Sequence, residues 1–251
     1  MAPPRLLVVQ HTASEGALRL GDWLTDAGVA LDVVHPYAGA DLPSGLDGYA
    51  GLLVLGGPQA AYADEGGAPA APWLPATKSL LRSAVAAALP TLAICLGAQL
   101  LAEALGGRVR PGASGPEIGA RLVARRDVAA QDELFGLVPF TPDVLQWHDD
   151  EIAELPPGAV LLASSPMYAN QAFRVGERAW GLQFHIETTP ELVTEWAAET
   201  RERLTALGID VDRALAQAIA VHDDLAEAWR PVGQRFAALV VTGVAGVGAA
   251  P

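Results

Sequence analysis

The chain has 251 residues and carries 29 Asp and Glu against 16 Lys and Arg, a formal net charge of −13. That is the length of one large α/β domain or at most two small ones, long enough to bury a core without staples. Cys95 is the only cysteine, which excludes an intramolecular disulfide and a cysteine-rich zinc module and suits a reducing cytosol. Affinity for a polyanion comes from clustered cations, and here only Arg125 and Arg126 stand adjacent, so no nucleic-acid partner is expected.

The N-terminal residues run straight into Leu6-Leu7-Val8-Val9, too short an apolar run for a signal segment, and a cytoplasmic location is expected. Residues 6–9 read as a first strand, 15–27 as a helix, 31–34 as a second strand and 52–55 as a third, stopped by Gly56-Gly57-Pro58. A helix over 77–88 leads to a strand over 91–95, and 97–105 continues as a helix closed by Gly106-Gly107. From 109 to 160 shorter strands and Pro-containing loops read as an antiparallel or irregular extension. Residues 159–163, 172–175 and 180–184 are the last strands, followed by a helix over 190–204 with Thr189 as N-cap and Pro190 at its first position.

Residues 209–230 place Val211, Leu215, Ala218, Ile219, Leu225 and Trp229 on one helical stripe. The apolar stretches 84–102 and 236–251 are broken by Pro90 or by glycines and fall short of a bilayer span, so no membrane partner is expected. No internal repeat is visible. Alternating strands and helices predict an α/β fold, an open and mainly parallel sheet flanked by helices. Residues 1–206 form the domain, with 207–251 as a C-terminal helical extension and tail belonging to the same unit.

Ala93-Ile94-Cys95-Leu96-Gly97 sets a thiol between an apolar strand and a helix, with small residues two positions away on each side. That is the steric requirement of a nucleophile elbow, and the helix opening after it favours thiolate through its N-terminal amides. An isolated cysteine in an apolar run is ordinarily inert core; the elbow spacing argues for a nucleophile. In Gly181-Leu-Gln-Phe-His185-Ile-Glu187, a continuing strand would project His185 and Glu187 from one face, where the carboxylate can orient the imidazole and stabilise its charge. Against this stands a surface pair near a strand end. The Gly56-Gly57-Pro58-Gln59 turn frees a backbone amide, that of Gly57, which with the amide of Leu96 can form an oxyanion hole. His11, His35, His148 and His222 show no metal-ligand spacing, and neither a metal nor a cofactor is expected.

Together these segments resemble the class I glutamine amidotransferase domain, over about residues 5–205. The motifs are GGPQ at 56–59, AICLGAQLLAEALGG at 93–107 and HIE at 185–187, with PEIG at 116–119, QWHDD at 146–150, SSPMYANQAFR at 164–174 and GLQFH at 181–185. Within the family the chain looks most like free-standing members related to the glutaminase domain of GMP synthase. The resemblance implies a flavodoxin-like three-layer fold and a Cys95, His185, Glu187 triad that hydrolyses the glutamine side-chain amide through a thioester. It also implies that Gln99 lies beside the bound amide and that Trp147 and His148 line the pocket. Two departures stand out. Ala93 replaces the usual glycine two residues before the nucleophile, and Ile186 replaces the usual proline between the triad His and Glu. Loss of proline's fixed φ predicts a less constrained Glu187.

The sequence holds no Ser-Gly-Gly-x-Asp-Ser pyrophosphatase motif and no P-loop. Ammonia is therefore expected to pass to a separate ATP-using synthetase subunit. The alternatives are a self-sufficient hydrolase of γ-glutamyl peptides or amides with the same triad, and a catalytically silent regulatory or binding subunit. Nothing in the sequence specifies an oligomeric state.

Overall fold

The computed structural model describes residues 2–62 and 71–247. Its strands are β1 (Arg5–Val9), β2 (Ala30–Val34), β3 (Gly51–Val54), β4 (Thr91–Ile94), β5 (Arg108–Pro111), β6 (Glu117–Leu122), β7 (Ala124–Arg125), β8 (Asp143–His148), β9 (Asp150–Glu154), β10 (Val160–Ser164), β11 (Ala172–Val175) and β12 (Ala179–Leu182). Its α-helices are α1 (Leu18–Asp26), α2 (Leu74–Ala86), α3 (Leu96–Ala104), α4 (Pro190–Ala206), α5 (Val211–Ala220) and α6 (His222–Val247).

The central sheet runs β2-β1-β3-β4-β12-β11-β10-β7. Its first five strands are parallel and the last three antiparallel to their neighbours. Runs such as Leu6-Leu7-Val8-Val9 lack polar alternation because both faces are covered. Leu6, Val8, Leu53, Leu92 and Ile94 face a core closed by α1, α4 and α6; Leu7, Val9, Leu52, Val54 and Ala93 face the opposite core, closed by α2 and α3. The result is the three-layer α/β arrangement expected from the sequence.

The 109–160 stretch is antiparallel, as expected: β5 pairs with β9 and β6 with β8 as two separate ribbons, while β7 and β10 join the main sheet at its edge. Two local expectations are corrected. The strand expected over 180–184 ends at Leu182. The single stripe over 209–230 is two helices, broken at Val221, where His222 Nδ1 lies 2.7 Å from the Ala218 carbonyl. α6 then runs through Pro231, whose missing N–H costs one helical hydrogen bond. Tertiary burial overrides that loss: Trp229, Val232, Phe236 and Val240 are fully buried against the core shared with α1, and a fully buried Val or Phe contributes about 1.5–3 kcal/mol. Trp229 Nε1 also donates to the Asp143 carbonyl at 2.9 Å. The expected tail beyond residue 247 lies outside the described residues.

Candidate active site

Strand β4 delivers Cys95 to the carboxyl end of the sheet, the end at which open α/β folds place their ligands. Cys95 sits at φ 51 and ψ −109, between Ile94 and the first residue of α3. A side-chain-bearing residue held there stores about 1–3 kcal/mol of strain. The turn is pinned by the Cys95 amide donating to the Leu182 carbonyl at 2.8 Å, and by Gly97, where a Cβ would lie 2.2 Å from the Val54 carbonyl oxygen. Ala93 is fully buried beside Gly181 of β12, where the Phe173 ring fills the place of a Gly181 side chain, and its methyl is accommodated with the elbow formed. The elbow therefore tolerates the first departure from the family pattern.

His185 lies beyond the end of β12. It is held by a single bridge to β8, its amide donating to the Leu145 carbonyl at 2.8 Å and its carbonyl accepting from the Leu145 amide at 3.3 Å. His185 Nδ1 donates to Glu187 Oε1 at 2.6 Å, and the Ile186 amide donates to Glu187 Oε2 at 2.9 Å. Proline has no N–H to make the second bond, so Ile186 tightens the pair that the sequence predicts to be looser. Burial opposes a charge on His185, but Glu187 and the sulfur of Cys95 override it and hold the ring well above its ordinary value. The Glu187 carbonyl accepts from the Arg19 amide at 3.2 Å, and Arg19 Nη1 donates to the His222 carbonyl at 2.8 Å. Through Arg19 the junction of α5 and α6 is tied to the acid of the pair.

A cavity of about 480 Å³ opens over Cys95 and is lined by every side chain named from the sequence except Glu187 and Leu96. The amides of Gly57 and Leu96 make no hydrogen bond among the described residues, and the two residues touch, since a Cβ on Gly57 would lie 3.0 Å from Leu96 Cδ2. Gln99 is buried on the first turn of α3; its Nε2 donates to the Asp150 carbonyl and to Gln183 Oε1, both at 3.3 Å. Gln183 Nε2 in turn reaches Cys95 Sγ at 4.0 Å. Trp147 stacks at a tilt on Trp196, with 5.8 Å between ring centroids, and Trp196 meets His185 edge-on at 4.8 Å. His148 Nδ1 donates to the Asp150 carbonyl at 2.8 Å, while its Nε2 stands 3.3 Å from Glu117 Oε2, outside hydrogen-bond alignment.

The sequence model of the family glutamine amidotransferase class-I matches residues 20–197, a span holding Cys95, His185 and Glu187. The chain belongs to the class-I glutamine amidotransferase family. It is 30% identical over 200 residues to YfeJ of Salmonella typhimurium, described as glutamine amidotransferase-like, covering 80% of this chain and 82% of that protein. It is 34% identical over 213 residues to the glutamine-hydrolysing GMP synthase of Thermomicrobium roseum, covering 72% of this chain but 37% of that enzyme's length. It is 29% identical over 153 residues to gamma-glutamyl peptidase 3 of Arabidopsis thaliana, covering 60% of this chain and 59% of that protein. The crystal structure of a glutamine amidotransferase from Thermotoga maritima superposes with a TM-score of 0.80 at 29% identity, covering 93% of this chain and 98% of that one. The protein is an enzyme of this hydrolase-type family, and no described helix is long and apolar enough to cross a membrane.

Three side chains of this amidotransferase site escape sequence reasoning. Gln183 lies inside the GLQFH motif, where its spacing alone does not distinguish it from Leu182. Trp196 reads as an ordinary apolar position of α4. Glu15 opens the helix expected over 15–27, but α1 begins at Leu18 and leaves it in the preceding loop, where its carboxylate lines the cavity. Burial raises the Glu15 carboxyl to about 7; His185 acts in the opposite sense, and Glu187 and Glu199 add to the rise.

Proposed function

We propose that this protein hydrolyses the side-chain amide of glutamine through a cysteine thioester, releasing glutamate and ammonia for a separate acceptor enzyme. The observation that carries the reading is the strained Cys95 elbow facing a buried His185 that is doubly backed through Glu187. In the proposed reaction the Cys95 thiolate attacks the carboxamide carbon and imidazolium His185 protonates the departing nitrogen. His185 then activates the water that cleaves the thioester. The amides of Gly57 and Leu96 receive the oxyanion, Gln99 lies beside the bound amide, and Trp147 and His148 line the pocket for the amino-acid end of the substrate.

The acceptor would be an ATP-using synthetase in the same compartment, taken here as the cytoplasm; the glutamine-hydrolysing GMP synthase relative supports that kind of partner. The described residues up to 247 would act as one unit, because α6 fills a face of the core. The second reading, a self-sufficient γ-glutamyl hydrolase with the same triad, is favoured by the likeness to a gamma-glutamyl peptidase.

A diazo-ketone analogue of glutamine tests the reading. It should add one label per chain at Cys95, and Cys95→Ser should abolish both labelling and glutamine turnover. Labelling that persists in the variant would overturn the assignment of the nucleophile. A rise in glutamine hydrolysis on adding an ATP-using partner favours the amidotransferase role, and fast cleavage of γ-glutamyl peptides by the isolated chain favours the alternative.

A further inference from the structure

Charges around the cavity are mostly matched. Arg203 Nη1 pairs with Asp149 Oδ1 at 2.6 Å, Tyr62 Oη donates to Asp150 Oδ1 at 3.4 Å, and Glu187 is held by His185 and Ile186. Glu15 and Glu199 are the exceptions: among the described residues neither carboxylate has a hydrogen-bond or ion-pair partner, and Glu15 is the half-buried one of the two. Its place is defined by Gly56. A Cβ built on Gly56 would lie 2.6 Å from Glu15 Oε2, 3.1 Å from His185 Cε1 and 3.6 Å from Cys95 Cβ. The carboxylate, the imidazole edge and the nucleophile therefore converge on one point that only a glycine leaves open. Glu199 of α4 lines the same cavity and acts electrostatically on Glu15.

We propose that Glu15 is the leaving-group acceptor of this site: its carboxylate takes an N–H of the departing amine. With Glu199 beside it, Glu15 selects substrates that release ammonia or a cationic amine over γ-glutamyl peptides whose leaving group bears a carboxylate. The inference rests on the hydrolase reading above. As the Cys95 Sγ–carbon bond forms and the tetrahedral intermediate collapses, the carbon–nitrogen bond breaks and His185 Nε2 gives its proton to nitrogen. Glu15 transfers nothing; it holds the amine N–H that points away from the imidazole and stabilises positive charge gathering on nitrogen. Water then adds to the thioester carbon, the carbon–sulfur bond breaks and the thiolate returns. An ester substrate leaves as an alcohol, without an N–H for Glu15 to accept. A leaving group with its own carboxylate meets two acids.

The test compares kcat/KM of the full chain and of Glu15→Gln on glutamine, glutamate γ-methyl ester and γ-glutamylglutamate. A hydrogen bond to a charged group corresponds to a loss of about tenfold to a hundredfold on glutamine, while ester hydrolysis should stay near the wild-type value, so the amide-to-ester ratio falls. The preference for glutamine over γ-glutamylglutamate should narrow in Glu15→Gln and also in Glu199→Gln. Equal loss on amide and ester, which a merely structural role would give, overturns the proposal, as does an unchanged ratio. If the wild-type chain cleaves the ester and γ-glutamylglutamate well but glutamine poorly, the selectivity assigned to Glu15 is wrong while the triad stands. If it cleaves none of the three, the hydrolase reading falls and the proposal with it.

Discussion

The two ends of the parallel sheet each carry a cavity, and the larger one is at the end away from Cys95 and His185. At the amino ends of the strands a space of about 780 Å³ lies among Pro3, Pro4, Tyr49, Ala87, Pro90 and Gly243. Its charged groups are paired: Arg178 Nε lies 3.4 Å from Glu133 Oε2, Arg5 pairs with Asp32, Tyr49 Oη donates to Asp32 Oδ2 at 2.7 Å, and the Arg5 guanidinium stacks over the Tyr49 ring. At the carboxyl ends the cavity is about 480 Å³, but it is bordered by the strained Cys95 and by the Gly57 amide and the Glu15 carboxylate, which have no hydrogen-bond partner among the described residues. His11 Nε2, buried behind Gly57, also has no partner among the described residues. Volume does not separate these regions. A positive φ does not separate them either, since Ala88, at φ 50, borders the larger cavity; unused hydrogen-bonding capacity does, because a fold retains that cost where chemistry uses it.

The contrast breaks most sharply at Glu187, the proposed acid. Glu187→Gln should lower turnover by about tenfold to ten-thousandfold while Cys95 stays alkylatable, since the acid orients and charges the imidazole without attacking; unchanged steady-state kinetics would remove Glu187 from the mechanism. Next in size is a pH effect at His11. Burial pushes its ring down to about 4, and Trp73 Nε1 donates to its Nδ1 at 2.9 Å. The folded value lies below the unfolded one, so the unfolded chain binds the extra proton between them. Stability is therefore complete above about pH 6.5 and is lost as pH falls toward 4, by about 2 kcal/mol between pH 7 and 5. Urea unfolding of the wild type and of His11→Gln at both pH values checks this, and the variant should show a smaller pH dependence.

Ile186→Pro removes the amide that holds Glu187 Oε2 and should cost about tenfold in kcat, the loss of one hydrogen bond to a charged acceptor. Ile186→Val keeps the N–H and should stay near wild type; a fully active proline variant would show that the amide is idle. The smallest effect is expected at the other end of the sheet. Ala87→Met projects into the larger cavity and should leave glutamine hydrolysis unchanged and stability within about 0.5 kcal/mol. A strong loss of activity there would undo the contrast between the two ends.

Much of this was legible in the sequence because it is local. The elbow is five consecutive residues, Ala93 to Gly97, whose sizes are dictated by the turn itself, and the parallel strands announce themselves as apolar runs buried on both faces. His185 and Glu187 were readable as a pair, but their setting was not: the strand stops at Leu182, and the pair is held by a bridge from Leu145. Ile186 reads as a lost constraint when only φ is considered; the gain lies in an N–H whose acceptor is visible only in three dimensions. The ribbons β5–β9 and β6–β8 depend on long-range register, which composition does not carry. Pro231 looks like a helix stop, yet packing of Trp229 and Phe236 carries α6 past it. Glu15 had no sequence signal, since nothing in its loop relates it to a histidine at position 185.

The covalent intermediate is the most direct measure of the central claim. Acid-quenching the protein during turnover with glutamine, digesting it and weighing the peptides should reveal a γ-glutamyl thioester on the peptide containing Cys95, absent from Cys95→Ser, which should release no ammonia. Sustained glutamine hydrolysis by Cys95→Ser, with no adduct on the wild-type peptide, would contradict it.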